Sequence, residues 1–187
     1  MAAVQQSFTD EPLPEAVVFD ADFVVSALSE QEEFHATCRH FASRLLRSGV
    51  TVFYSQLLRI EFLSAWQNAL RRRGIPKDLM PQPRLLEDRA AERSAIYAMA
   101  DDYLLTFLRS FQSAEVRLSS PLQDVAREYI AVYDLKPMDA CLVATAVRSG
   151  ADNIVSLDND FTKVDGIHLW NDNIPAKRQA ARRRKRS

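Results

Sequence analysis

A chain of 187 residues with 47% hydrophobic side chains has the length and apolar content for one domain with a buried core. Only 4 glycines occur and no segment repeats at a fixed period, which excludes solenoids, collagen-like stretches and flexible linkers. The net charge of −1 hides an asymmetry: residues 177–187 (KRQAARRRKRS) hold seven Lys or Arg and no acid, and the other residues hold 17 basic and 25 acidic side chains, a net −8. A polyanion would not be drawn to such a body in general, so a nucleic acid must be met by local basic patches.

The first fifteen residues, MAAVQQSFTDEPLPE, lack a basic start followed by an apolar run, and nowhere do eighteen apolar residues follow one another. They read as an N-terminal extension of a cytoplasmic protein that does not span a membrane. Residues 16–20 (AVVFD) form an apolar run ending in an acid, as expected of a buried strand whose carboxyl end opens onto a loop. Phe34, Cys38, Phe41, Leu45 and Leu46 then recur at helical spacing, and residues 50–54 (VTVFY) give a second strand. Leu57, Leu58, Leu63, Trp66 and Leu70 mark a second helix, and Leu86, Ile96, Leu104, Phe107 and Leu108 mark a third amphipathic stretch over 85–111. Helices follow near 121–133 and 137–148, the latter opened by Pro137 and closed by Gly150. A third strand is expected at 153–157 (NIVSL) and a short edge strand at 167–170 (IHLW). Strands separated by helices predict an α/β fold of three layers, α/β/α, with a short, mainly parallel sheet. Cys38 and Cys141 have no second Cys or His at ligand spacing and read as small buried hydrophobes.

Two of the three main strands end in acids: Asp20 and Asp22 after the first, Asp158 and Asp160 after the third. Taken singly, each reads as a turn residue whose side chain bonds nearby backbone. Glu61 is different, because on a helix it shares a face with Leu57, Leu58, Ser64 and Ala65, where a free carboxylate is costly to desolvate. A salt bridge with an Arg would answer that cost; so would a metal ion. Asp139 shares a face with Leu142, Val143 and Ala146, although an acid in the first turn after Pro137 also suits the helix dipole. Brought together at the carboxyl ends of the strands, these acids would repel unless cations neutralised them. Mg²⁺ or Mn²⁺ suits carboxylate oxygens, and the scattered His35, His40 and His168 offer no zinc site. Such an ion activates water and stabilises charge on a phosphoryl oxygen, the chemistry of a nuclease.

Three segments, AVVFDADFVVSAL, SQLLRIEFLSA with Glu61, and LKPMDACLVATAVRSGADNIVSLDNDFTKVDGIHLW, resemble the PIN-domain ribonucleases, in particular VapC-like toxins. The resemblance covers 16–170, with a poor match over 74–118. It implies that Asp20, Glu61 and Asp139 are metal ligands and catalytic, joined by Asp158 or Asp160 as the fourth acid, with Ser156 as a nearby polar support. Asp22 departs from the family pattern, which has Asn or Ser there; the extra charge would hold a second ion or alter affinity. The resemblance further implies RNA cleavage, homodimerisation and inhibition by a small antitoxin. The expected organisation is an extension over 1–15, a PIN-like nuclease domain over 16–172 and a basic, disordered tail over 173–187. Arg71, Arg72 and Arg73, with Arg182, Arg183 and Arg184 of the tail, are the candidate RNA contacts.

Three rivals compete for the same residues. A haloacid-dehalogenase-like phosphatase would use Asp20 as nucleophile and Asp22 as general acid, with Ser55 and Lys136 completing its motifs, but leaves Glu61 and Asp139 unexplained. A phosphoacceptor receiver lacks its Asp after the VTVFY strand, where Tyr54, Ser55 and Gln56 stand. A non-catalytic PIN-like module that binds RNA or protein leaves the retained acids without a purpose.

Overall fold

The computed structural model describes residues 2–73 and 89–173. In chain order these form β1 (Val4–Gln6), β2 (Ala16–Phe19), α1 (Ala21–Leu28), α2 (His35–Arg47), β3 (Thr51–Ser55), α3 (Leu58–Arg73), α4 (Arg89–Arg109), β4 (Gln112–Val116), α5 (Ser120–Tyr133), α6 (Pro137–Ser149), β5 (Asn153–Val155) and β6 (His168–Trp170). A single 3₁₀ turn, Asp160–Lys163, lies between β5 and β6.

Alternation along the strands builds the layers. Val17 and Phe19 of β2 enter one core with Phe23 of α1, Phe41 and Leu45 of α2, Phe62 and Trp66 of α3 and Leu104 of α4. Val18, between them, points the other way into a second core with Leu122 of α5, Val143 of α6 and Phe161. The same split recurs at Ile154 and Val155 and at Leu169 and Trp170, as a period of two requires. The result is the expected three-layer α/β/α fold, with six parallel strands in the order β1-β6-β5-β2-β3-β4.

The structure corrects four details. Residues 167–170 do not form an edge: β6 lies between β5 and β1. The stretch 1–15 is not merely an extension, because β1 pairs with β6 and Phe8 fills the first core, stacked on Phe41 at 4.5 Å. The Arg44 guanidinium fastens this stretch by donating to the Phe8 and Asp10 carbonyls and the Glu11 carboxylate. The segment after β2 is not a loop, since α1 begins at Ala21 with Asp20 as its N-cap. Finally, β4 adds an edge strand beside β3 that the apolar pattern did not announce. Helix α6 matches its expected signals: Pro137 opens it, and Gly150 at φ 69° closes it in the left-handed region. Leu86, assigned to the third amphipathic stretch, lies outside the described residues. Among the described residues no helix is long and apolar enough to cross a membrane.

Candidate metal centre

The chain runs from β2 outward through β3 to β4, then returns to the other side of β2 as β5. Parallel sheets leave a crevice at the carboxyl ends of the two strands flanking such a reversal, and ligands collect there. Here those ends are Asp20, directly after β2, and Ser156, directly after β5.

Asp20 caps α1, its Oδ1 accepting from the Ala21 N–H at 2.6 Å. Its other oxygen accepts from the fully buried Ser156 hydroxyl, also at 2.6 Å. Ser156 Oγ in turn accepts from the Asp158 N–H at 2.9 Å, and Asp158 Oδ1 accepts from the Asp160 N–H at 2.8 Å. These local bonds wind the segment after β5 into successive turns that present Asp158 and Asp160 side by side. Asp139 reaches the same place from the first turn of α6, and one oxygen from each of Asp139, Asp158 and Asp160 can be chosen so that all three lie within 4.8 Å of one another. Glu61 approaches from the first turn of α3.

The charges register each other. Burial lifts the Glu61 carboxyl to about 7, helped by the negative charges of Asp20 and Asp139. Burial also lifts Asp139 to about 6, against the lowering pull of Lys136 and with the charges of Asp20, Asp158 and Asp160 adding to the rise. Asp20 is raised by burial, which outweighs its hydrogen bond from Ser156. Acids that converge in this way repel one another, and a cation bound among them would relieve the repulsion. Asp139 Oδ2 is buried and accepts no hydrogen bond, its nearest cation being the Lys136 ammonium at 3.8 Å, so its acceptor capacity suits a hard cation. The donors are carboxylate oxygens, without His or Cys, so the residues fit a hard divalent cation.

Residues 17–167 match the model of the PIN domain. This chain belongs to the PIN domain family. A comparison with curated protein sequences finds no match. Among solved structures the chain is similar to VapC20 of Mycobacterium tuberculosis, titled a toxin that cleaves the sarcin–ricin loop, with 19% identity, 78% of this chain and 92% of that chain covered, and a TM-score of 0.52. It is also similar to a chain of VapBC2 from Rickettsia felis, solved bound to a DNA fragment from their promoter, with 12% identity, coverage of 83% and 98%, and a TM-score of 0.55. At these identities the likeness is one of fold.

Within this PIN domain the acids singled out from the sequence divide by position. Asp139, Asp158 and Asp160 form the tight set, and Asp20 and Glu61 border it closely enough for their charges to shift one another. Asp22 lies against Asp20 and shares its Ser156 hydroxyl, its carboxylate accepting from the Leu157 N–H at 3.1 and 3.2 Å and lying 3.3 and 3.4 Å from Ser156 Oγ. Burial and the neighbouring Asp20 charge hold its pKa well above the ordinary value. A phosphatase would use Asp22 as its general acid, but it would give no part to Glu61 and Asp139, whose charges reach Asp20 and each other. Ser55, required by the same rival, instead accepts from the Leu57 N–H at the start of α3. Arg71, Arg72 and Arg73 are the last residues of α3; their side chains, and Arg182, Arg183 and Arg184 altogether, lie outside the described residues.

Sequence reasoning missed three supports of this site. Lys136, weighed only for the rival readings, places its ammonium among the three clustered acids. Fully buried Asn171 donates to the Asp158 carbonyl at 3.2 Å, and Asn173 donates to the Leu157 carbonyl at 2.8 Å. Their signal was available: WNDN puts amides directly after an apolar strand, just as the acids follow β2 and β5.

Proposed function

We propose that this PIN domain is a metal-dependent endoribonuclease that hydrolyses RNA phosphodiesters as the toxin of a toxin–antitoxin pair. The observation that carries the reading is the meeting of Asp139, Asp158 and Asp160 at the strand ends, with a buried oxygen on Asp139 that accepts no hydrogen bond. In this reading Asp20, Glu61, Asp139 and Asp158, with Asp160, hold Mg²⁺ or Mn²⁺. The ion supplies activation of water and stabilisation of charge on the phosphoryl oxygens. Ser156 fixes the orientation of Asp20, and Asp22 anchors the start of α1 to the Leu157 backbone. The basic tail and Arg71–Arg73 are assigned to RNA contact, and residues 16–172 to the nuclease domain. A cytoplasmic location, a homodimer and an antitoxin partner belong to the same proposal; the solved neighbours, a cleaving toxin and a VapBC pair, support its toxin and antitoxin parts.

The test is incubation of the protein with labelled single-stranded RNA and, in parallel, a small phosphate monoester, in Mg²⁺, Mn²⁺ or chelator. Cleavage of RNA is expected only with metal and is expected to vanish in Asp20→Asn and Asp139→Asn. Turnover of the monoester that needs Asp20 but survives Asp139→Asn would return the phosphatase reading. Tight RNA binding without cleavage by the free protein would identify a binding module.

A further inference from the structure

Lys136 stands at the N-cap position of α6, yet its side chain makes no capping hydrogen bond. Its ammonium lies 3.1 Å from Asp160 Oδ2, 3.8 Å from Asp139 Oδ2 and 3.9 Å from Asp158 Oδ2. These are the same three acids whose oxygens form the tight set. Among the described residues no other ammonium or guanidinium is ion-paired with any of them. The backbone ahead of Pro137 is extended, at φ −63° and ψ 150°, which launches the side chain from the start of α6 towards the segment after β5.

A Mg²⁺ ion bound by carboxylates sits roughly 2.0–2.1 Å from each oxygen. An ammonium within ion-pair distance of those oxygens competes with it both for space and for charge, because two cations cannot share the cluster at short range without repulsion. The side chain of Lys136 is 68% exposed, so only its head is drawn in, and the flexible stem can swing out to solvent.

We propose that Lys136 is a tethered counter-ion of the metal centre: its ammonium neutralises Asp139, Asp158 and Asp160 in the metal-free protein and must leave them for a divalent ion to bind. The proposal rests on the metal reading given above. Lys136 thereby lowers the affinity for the ion while relieving the repulsion among the acids when no ion is present. Metal loading becomes an exchange of one cation for another rather than the filling of a bare acidic hole.

The test is isothermal titration of Mn²⁺ into the full chain at neutral pH, without RNA, for the wild type, Lys136→Met and Lys136→Arg. Lys136→Met keeps the length and apolar character of the stem while removing the charge, and its exposure spares the core. It is expected to bind Mn²⁺ roughly three- to tenfold more tightly than the wild type, the range that loss of screened ion pairs allows. Lys136→Arg is expected to stay near the wild-type affinity. In chelator, Lys136→Met should melt below the wild type, and saturating Mn²⁺ should close the gap. Equal or weaker binding by Lys136→Met overturns the counter-ion role. Absence of Mn²⁺ binding in all three proteins overturns the metal centre itself and the counter-ion role with it.

Discussion

Asp20 joins a structural role to the electrostatics of the acid cluster. One oxygen caps α1 and the other takes the Ser156 hydroxyl, while its charge presses on Glu61 and Asp139. The two roles separate by substitution. Asn caps a helix about as well as Asp, so Asp20→Asn should abolish RNA cleavage with a melting temperature at or above that of the metal-free wild type, because a repelling charge has gone. Asp20→Ala loses the cap as well and should cost about 1 kcal/mol of stability; thermal melts beside cleavage assays distinguish the two. Glu61 and Asp139 give a second expectation, through pH. Their carboxyls stand at about 7 and about 6, against ordinary values of 4.5 and 3.8. The folded protein therefore holds these protons more tightly than the unfolded chain does. Below the ordinary values both states are protonated and no stability is lost; as pH rises from about 4 to about 7 the unfolded chain ionises first and the fold is progressively penalised. The metal-free protein should melt at lower temperature near pH 7.5 than near pH 5, Glu61→Gln should flatten that slope, and saturating Mg²⁺ should offset the loss. A slope unchanged by Glu61→Gln would show that the proton is held elsewhere.

At the scale of elements, the site is a pair of strand ends braced by a third segment. The turns after β5 carry Asp158 and Asp160, and the residues after β6 hold them from behind: Asn171 bonds the Asp158 carbonyl and accepts from the Asn173 N–H, while Asn173 bonds the Leu157 carbonyl. Asn171→Ala strips two backbone groups of their partner, which should cost about 1–3 kcal/mol in a urea melt and weaken Mn²⁺ binding by loosening Asp158. Unchanged metal affinity alongside lost stability would confine Asn171 to a packing role. The elements legible in the sequence were those that bury a periodic apolar face or carry a terminator: β2, β3, β5 and β6, helices α2, α3, α4 and α5, and α6 between Pro137 and Gly150. β1, β4 and α1 lacked such a mark. β1 (VQQ) and β4 (QSAEV) are edge strands with largely exposed side chains, and are held by backbone pairing to β6 and β3 that no local pattern encodes. α1 hides Phe23, Val24 and Val25 in an almost wholly buried helix, where a β-branched run imitates a continuing strand. Glu61 and Asp139 were legible because an acid on an apolar helical face demands a reason. Lys136 was not, because its meeting with Asp158 and Asp160 depends on how α6 docks beside the β5 turn.

Across the whole molecule, charge is distributed against the proposed substrate. The acids that suit a cation lie at the centre of a body carrying −8, while seven basic residues are gathered into 177–187. A metal ion at the strand ends offsets the repulsion locally, but attraction of RNA from a distance needs positive charge elsewhere. The tail is the largest concentration of it in the sequence, and each phosphate it neutralises would release counter-ions and steepen the salt dependence of binding. A protein ending at residue 173 should therefore bind a short RNA more weakly than the full chain, with a flatter plot of log affinity against log salt. Its rate of cleavage at saturating RNA should persist, because every acid of the candidate centre lies before the cut. Binding measured by fluorescence anisotropy across a salt series, beside single-turnover cleavage, separates the two effects. A salt slope unchanged by the truncation would place the RNA contacts on the body, with Arg71, Arg72 and Arg73 the first residues to substitute, whereas loss of cleavage at saturating RNA would make the tail part of the reacting complex rather than a means of capture.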